Sequence, residues 1–265
     1  MIQKIIDSLS RHFPILKNLN KYIFWLEKFK NLENLEVLDS RYTNLFVNHA
    51  GRKASKWAHY LKIYDDEIGD YSKNFYEHNF AARLKFLEIG IDEGGSLEIW
   101  RDYLGPNAII GGVDINPNCA MDDTDFIIRI GSQSDRKFME SVVHDMGGGI
   151  DIVLDDGSHI ASDQRKTFDI LFPLLREGGM YIIEDTHTSY HFLYGGGFRR
   201  PGSIVEVAKT MVDGMNLSYF NFPTRKRSRI AHAEILSITF YDSIIVIRKQ
   251  TRKETGTIIS GSKNV

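Results

Sequence analysis

The sequence predicts an α/β fold with a mostly parallel, seven-stranded sheet that ends in an antiparallel hairpin. From Lys85 onward, five short apolar runs alternate with segments of helical periodicity, which is typical of a parallel sheet covered by helices on both faces. Two later apolar runs are separated only by Tyr241-Asp242-Ser243, and strands joined so tightly can pair only antiparallel. Both observations favour one large domain.

Each element follows from its local pattern. The predicted strands are 86–89, 109–113, 127–130, 150–154, 180–183, 233–240 and 244–248, and the predicted helices are 96–103, 134–144, 162–175 and 203–215. Residues 1–46 carry apolar side chains at helical intervals and are predicted to form a helical extension, which packs on the domain or on a second subunit. Residues 47–249 form the main domain, and the polar stretch 250–265 is a flexible tail.

Composition narrows the class of protein. With 265 residues, 42% of them hydrophobic, the chain can bury a substantial core. A formal charge of −2 argues against nucleic acid or an anionic membrane as partner, so small molecules are the expected partners, and the apolar face of residues 1–46 predicts a homo-oligomer. A single cysteine, Cys119, excludes an intramolecular disulfide, and no run is long enough to span a membrane. These features, together with an N-terminal segment that lacks the pattern of a signal peptide, predict a cytoplasmic protein.

Two acidic segments follow predicted strands directly. Asp155-Asp156-Gly157-Ser158-His159 comes after the fourth apolar run, and Glu184-Asp185-Thr186-His187 comes after the fifth. Open α/β sheets place their ligands at the carboxyl ends of parallel strands, so these side chains are expected to share one crevice. Carboxylate oxygens suit a hard cation such as Mg²⁺, and histidine can accept a proton near neutral pH. The pattern predicts metal-assisted chemistry.

A glycine-rich turn follows the first strand. Gly90 and Gly94 allow a close backbone approach to a ligand, and Asp114 at the end of the second strand is placed to accept two ribose hydroxyls. The turn departs from G-x-G-x-x-G, and Glu88 and Glu93 would make a poor cradle for a pyrophosphate. An adenosine ligand that carries a positive group fits better.

These motifs resemble those of a broad protein family and of a narrower group within it. Glu88-Ile89-Gly90 with Gly94 and Asp114 resembles the S-adenosylmethionine site of the Rossmann-like class I methyltransferases, whose closing hairpin the last two strands also resemble. Asp156-Gly157-Ser158-His159, Glu184-Asp185, His187-Thr188-Ser189-Tyr190 and Tyr194-Gly195-Gly196-Gly197 together resemble the metal-dependent sugar O-methyltransferases of macrolide tailoring and their bacterial relatives. The resemblance covers about residues 48–215.

The resemblance implies a role for each matching residue. It implies that Asp156, Glu184 and Asp185 hold Mg²⁺ and that His159 is the general base. It places S-adenosyl-L-methionine against Lys56, Trp57, Glu88, Gly90, Gly94, Ser96, Asp114, Ile115, Gln133 and Asp155, with Asp114 at the ribose, Gln133 by the adenine and Asp155 facing the cofactor. His187, Tyr190 and Tyr194 would contact the acceptor, where this chain has His191 in place of the tryptophan that relatives often carry.

The acceptor implied is a sugar or glycan precursor, which could be nucleotide-linked. Arg225-Lys226-Arg227-Ser228-Arg229 is either a solvated loop or a phosphate contact. Residues 48–64, which include Trp57, Tyr60 and Tyr64, either pack in the core or cover a ligand. The alternatives in other classes are a non-haem iron hydroxylase using His159 and His187, an N-methyltransferase of a small phosphorylated acceptor, and a non-catalytic cofactor-binding module.

Overall fold

The computed structural model describes residues 39–78, 82–121, 123–216, 234–251 and 257–261. Their helices are α1 (Arg41–Val47), α2 (Ala58–Tyr64), α3 (Asp70–His78), α4 (Gly95–Leu104), α5 (Arg136–Asp145), α6 (Ala161–Leu171) and α7 (Ile204–Met215). Their strands are β1 (Lys85–Ile89), β2 (Ile109–Asp114), β3 (Phe126–Ile130), β4 (Ile150–Asp155), β5 (Leu175–Ile183), β6 (Ile235–Phe240) and β7 (Ile245–Lys249). A π-helical turn, Asp65–Gly69, joins α2 to α3, and short 3₁₀ segments include Thr186–Tyr190 and Phe192–Tyr194.

The sheet confirms the predicted topology. Seven strands lie in the order β3-β2-β1-β4-β5-β7-β6. The first five are parallel to one another, and β7 pairs antiparallel with both β5 and β6. The strand order reverses at β1 and β4, because β2 and β3 extend the sheet to one side and β5 to the other. Such a reversal opens a crevice at the carboxyl ends of the two central strands, where ligands bind in this class of fold.

Apolar side chains cover both faces of the sheet. Successive strand residues point to opposite faces, so Phe86 belongs to one core and Leu87 to the other. The first core includes residues of α1, α2 and α4, and the second includes residues of α5, α6 and α7. Because the central strands are buried on both sides, they read in sequence as continuous apolar runs, which is why they were predictable.

Some boundaries differ from the predicted ones. β5 begins at Leu175 rather than at residue 180, because its first half contains Arg176-Glu177-Gly178-Gly179 and shows no apolar run. The compact unit described here begins at Asp39, and Tyr42 of α1 is fully buried in its core, although residues 39–46 were assigned to the extension. The three-part division of the chain stays a prediction. The rest of the helical extension, residues 1–38, and the basic cluster Arg225–Arg229 lie outside the described residues.

Across the ranges given above, no helix combines the length and the apolar character that a membrane span requires.

Candidate active site

The two acidic segments meet at the carboxyl ends of adjacent strands. In the pairing of β1, β4 and β5, Asp155 lies opposite both Ile89 and Ile183. The ladder continues one step beyond the strands, because the Asp156 amide donates to the Ile89 carbonyl at 2.9 Å and the Glu184 amide donates to the Asp155 carbonyl at 3.0 Å. The backbone therefore fixes the start of each acidic segment, and the predicted shared crevice is confirmed.

Asp156, His159 and Asp185 form the candidate metal-binding group. Each offers a ligand atom, and these atoms lie within 4.8 Å of one another. The His159 Nε2 atom is 3.8 Å from Asp156 Oδ1 and 3.6 Å from Asp185 Oδ2, and the three side chains are 20–21% exposed. His159 and Asp185 have left-handed backbones, with φ of 56° and 52°, which are uncommon for residues other than glycine. Such strain is characteristic of functional sites.

Glu184, the third predicted metal ligand, contacts a lysine instead. Its carboxylate oxygens lie 3.0 and 3.1 Å from the Lys56 Nζ atom, which is also 2.6 Å from Asp156 Oδ2 and 3.3 Å from Glu88 Oε1. The Lys56 side chain is only 4% exposed. Burial disfavours its ammonium form, but the surrounding carboxylates outweigh burial and hold the pKa of Lys56 well above its ordinary value. The lysine is therefore charged.

Two tyrosines of α2 hold the acids from the opposite side. The Tyr64 hydroxyl donates to Glu184 Oε1 at 2.5 Å, and the Tyr60 hydroxyl donates to Asp185 Oδ1 at 2.7 Å. Four residues apart on a helix, they share one face and are both fully buried. Of the two roles that the sequence allows these residues, core packing or covering a ligand, the structure places both tyrosines in the core with their hydroxyls in the site. Their shared helical spacing was the signal for a common face.

The turn between β6 and β7 reaches the same site. The Ser243 Oγ atom lies 2.5 Å from His187 Nδ1, and the Ser243 carbonyl accepts a hydrogen bond from the Thr186 amide. Burial lowers the pKa of His187 below its ordinary value, so its imidazole is neutral at pH 7. Ser243 was not predicted as a site residue, because nothing in the sequence shows how far the hairpin folds over the strand ends.

A cavity of about 150 Å³ lies at the carboxyl ends of β1 and β2, beside the acidic group. Its lining comprises Ile89, Gly90, Val113, Asp114, Ile115, Gly131, Ser132, Gln133, Gly157, Ser158 and Asp163. Gly90 has φ +83°, and a Cβ atom there would lie 2.1 Å from the Asp156 carbonyl oxygen. Only glycine fits at this crossing of two loops, so it fixes the cavity wall next to Asp156.

The sequence is similar to those of known enzymes. The chain is 36% identical over 228 residues to the 8-demethyl-8-(2-methoxy-alpha-L-rhamnosyl)-tetracenomycin-C 3'-O-methyltransferase of Streptomyces olivaceus, a match that covers 81% of this chain and 55% of that protein. It is 28% identical to the mycinamicin VI 2''-O-methyltransferase of Micromonospora griseorubida, over 70% of this chain and 48% of that protein. The chain is homologous to sugar O-methyltransferases.

A solved structure supports the same relationship. The methyltransferase MycE of the mycinamycin pathway, in complex with Mg, SAH and mycinamycin VI, superposes with a TM-score of 0.66 at 26% identity, covering 81% of this chain and 54% of MycE. The class I methyltransferase fold predicted from the sequence is confirmed. No protein-family model matches the chain. The chain spans about half the length of the sugar O-methyltransferases it matches.

The structure places the other predicted cofactor residues in three groups. Gly90, Asp114, Ile115 and Gln133 line the cavity. Glu88 and Ser96 are buried, do not line the cavity and are hydrogen-bonded to each other at 2.8 Å, and Gly94 precedes α4 with φ +83°. Lys56 and Trp57 lie instead beside the acidic segments after β4 and β5. Lys56 contacts Asp156, and the Trp57 ring centroid is 5.5 Å from that of His187.

Asp155 departs from its predicted orientation towards the cofactor. Its buried carboxylate accepts hydrogen bonds from the Tyr181 hydroxyl at 2.9 Å and from Gln133 Nε2 at 3.1 Å, and it is absent from the cavity lining. The amide of Gln133 is also committed, since its Oε1 accepts from the Ser158 amide at 2.8 Å. Gln133 thus connects the buried Asp155 carboxylate to the cavity, which Gln133 itself lines.

The predicted acceptor residues lie on the 3₁₀ segments after β5. His187 lies inside the site, whereas Tyr190 is 51% exposed and Tyr194 is partly buried. The iron-hydroxylase alternative requires two histidines and one carboxylate around one metal position. Among the described residues, the group of ligand atoms within 4.8 Å contains only one histidine, His159, so the geometry does not favour that alternative.

Proposed function

We propose that the chain carries the catalytic domain of an S-adenosylmethionine-dependent, Mg²⁺-assisted O-methyltransferase acting on a sugar hydroxyl. One observation supports this above the others: the cavity at β1 and β2 adjoins the group formed by Asp156, His159 and Asp185. A site for an adenosine ligand and a site for a hard cation therefore lie side by side. The homologous enzymes carry out this class of reaction on natural-product glycosides.

The residues present fit both groups. Carboxylate oxygens are the ligands that Mg²⁺ prefers, and we assign them to Asp156, Asp185 and Glu184. Asp114 lies at the cavity, with its carboxylate oriented by the amides of Ile91 and Asp92 at 3.1 and 3.2 Å. Such an oriented acid suits a ribose diol.

When bound, S-adenosylmethionine supplies an activated methyl group, and Mg²⁺ lowers the pKa of the acceptor hydroxyl. His159 takes the hydroxyl proton at Nε2, the nitrogen that faces Asp156 and Asp185. Its Nδ1 atom is buried and has no hydrogen-bond partner among the described residues, which leaves Nε2 as the working position. The two flanking carboxylates stabilise the imidazolium that results. His187, neutral and held by Ser243, is placed to contact the acceptor.

We propose that the acceptor is a small glycoside or a glycan precursor, which could be linked to a nucleotide. We also propose that the protein is a homo-oligomer and lies in the cytoplasm. Methyl transfer from labelled S-adenosylmethionine to rhamnosyl glycosides, nucleotide sugars and free sugars would rank these acceptors.

The test of the function is calorimetric titration with S-adenosylhomocysteine, with and without Mg²⁺. Asp114→Ala should weaken binding, whereas the double variant Asp156→Ala, Glu184→Ala should retain cofactor binding and lose Mg²⁺ binding. Asp213→Ala, which removes an exposed acid on α7, is the matched control and should change neither. Folded wild-type protein that binds no S-adenosylhomocysteine would refute the methyltransferase proposal. Cofactor binding without methyl transfer to any acceptor would favour the non-catalytic module.

A further inference from the structure

A single lysine lies at the centre of the acidic crevice. The Lys56 Nζ atom contacts three carboxylates, at 2.6 Å from Asp156, 3.0 Å from Glu184 and 3.3 Å from Glu88. Asp156 and Glu184 are two of the three acids assigned to the metal. The ammonium therefore occupies one carboxylate oxygen of Asp156 and both carboxylate oxygens of Glu184, which could otherwise bind a divalent cation.

The position of Glu184 shows the effect of this pairing. The oxygens of Asp156 and Asp185 converge with His159 within 4.8 Å, but the Glu184 carboxylate is not part of that group. It is held by Lys56 and by the Tyr64 hydroxyl at 2.5 Å. A buried carboxylate needs a cation or hydrogen-bond donors, and the lysine supplies the cation here. The set of three acids is thus divided between the lysine and the metal position.

Lys56 has a second carboxylate to which it can withdraw. Glu88 Oε1 is fully buried and has no hydrogen-bond partner in the described part of the chain, although the ammonium lies 3.3 Å away. Residues 53–57, which carry the lysine, are not helical and lead into α2. A small shift of the long side chain towards Glu88 would release Asp156 and Glu184 from the lysine. The ammonium would still be paired with a buried carboxylate, that of Glu88.

We propose that Lys56 and the divalent cation compete for Asp156 and Glu184, so that metal binding displaces the Lys56 ammonium towards Glu88. This inference rests on the proposed function, because it takes these acids as metal ligands. Lys56 then acts as an internal counter-ion that stabilises the crevice before the metal arrives. It also links the two sites, because Glu88 directly precedes Ile89 and Gly90, which line the cavity, and is hydrogen-bonded to Ser96 at the start of α4.

Mg²⁺ affinity measured by calorimetry, with no acceptor present, tests the competition. Lys56→Met removes the competing charge and should tighten Mg²⁺ binding at least about tenfold, given the strength of charge pairs at these distances. Lys56→Arg keeps a cation and should not tighten it. Lys53→Met is the matched control, because Lys53 lies on the same segment but its side chain is 69% exposed. The Mg²⁺ affinity of this variant should stay within about twofold of wild type.

A second measurement uses the unaltered lysine, in case Lys56→Met fails to fold. Trp57 adjoins Lys56 and packs beside Tyr60 and His187, so displacement of the lysine should change its emission. Titration of the wild type with Mg²⁺ should change tryptophan fluorescence with the half-saturation found by calorimetry, and Trp57→Phe should abolish the change. Mg²⁺ binding with unaltered Trp57 emission would overturn the inference.

The outcomes separate this inference from the function. If the wild type binds Mg²⁺ and Lys56→Met binds it equally or more weakly, the competition is wrong while the metal site stands. If neither protein binds Mg²⁺, the metal-assisted function fails and the inference fails with it. Binding by Lys56→Met alone would support the competition in its strongest form.

Discussion

Replacing Asp155 by asparagine should stabilise the protein at neutral pH. Burial raises the pKa of Asp155 from its ordinary 3.8 to about 6, against hydrogen bonds from Tyr181 and Gln133 that favour the carboxylate. A difference of about two pH units corresponds to roughly 3 kcal/mol that the ionised group costs the folded state at neutral pH. Asparagine is neutral, keeps an acceptor for Gln133 and can donate to Tyr181. We expect Asp155→Asn to raise the free energy of unfolding by about 1–3 kcal/mol at pH 7.5.

The sign of the pH dependence follows from the raised pKa. The folded protein binds the Asp155 proton more tightly than the unfolded chain, so the stability this group contributes is full below pH 3.8 and is lost as the pH rises through about 6. The advantage of Asp155→Asn should therefore fall by roughly half between pH 7.5 and pH 5. Asp213→Asn, at an exposed position, controls for the lost formal charge.

Urea unfolding in the presence of a chelator measures both effects. The chelator matters because Asp156, the next residue, is an assigned metal ligand. Affinity for S-adenosylhomocysteine should stay within about twofold, since the Asp155 side chain does not line the cavity. A variant less stable than wild type at pH 7.5, with an unchanged pH slope, would show that the hydrogen bonds outweigh desolvation and refute the reasoning. A large loss of affinity would instead restore the orientation predicted from the sequence.

Three further predictions concern the site. Gly90→Ala should lower the free energy of unfolding by more than about 2 kcal/mol and weaken S-adenosylhomocysteine binding, because the new Cβ atom would meet the Asp156 carbonyl. Gly105→Ala is the control, since Gly105 also has a positive φ but has open space around it. In thermal unfolding it should show only the smaller cost of the left-handed backbone. His159→Ala should leave the protein folded and cofactor-bound while lowering turnover at least about 100-fold, and near-normal turnover would exclude it as the base. Ser243→Ala should lower turnover about tenfold without changing cofactor affinity, because it removes one hydrogen bond that positions the His187 ring, and an unchanged rate would leave Ser243 a purely structural role.

The sequence was sufficient to predict the sheet and to predict that the two acidic segments lie close together, and the reason is the same for both. Strands buried on both faces must be apolar throughout, so β1, β2 and β4 are visible as runs, and the residue after each run marks a strand end. Parallel topology then places these ends on one edge. Asp114, Asp156 and Glu184 could thus be assigned to one crevice without knowledge of any other contact.

The partners of these acids could not be predicted in the same way. Lys56 is separated by 100 residues from Asp156, and Tyr60 by 125 residues from Asp185, so no local pattern connects them. The orientation of a side chain is equally hidden: Asp155 and Asp156 are adjacent, yet one joins Tyr181 inside the sheet and the other enters the site. Burial decides between them, and burial depends on helices packed from elsewhere in the chain.

The balance of charge in the crevice connects the proposed chemistry with these contacts. Glu88, Asp156, Glu184 and Asp185 bring four carboxyl groups together. Burial raises the pKa of Glu88 and of Glu184, and when all four groups are ionised Lys56 offsets one of the charges. A divalent cation would offset two more, and the positive sulfonium of the cofactor would offset the last. In the proposed reaction the sulfonium charge would be lost, and the proton that His159 accepts between Asp156 and Asp185 would replace it within the same crevice. The arrangement of acids would thus stabilise positive charge before and after the proposed methyl transfer, which is the reason to expect that neutralising Asp156 changes metal and proton affinity together.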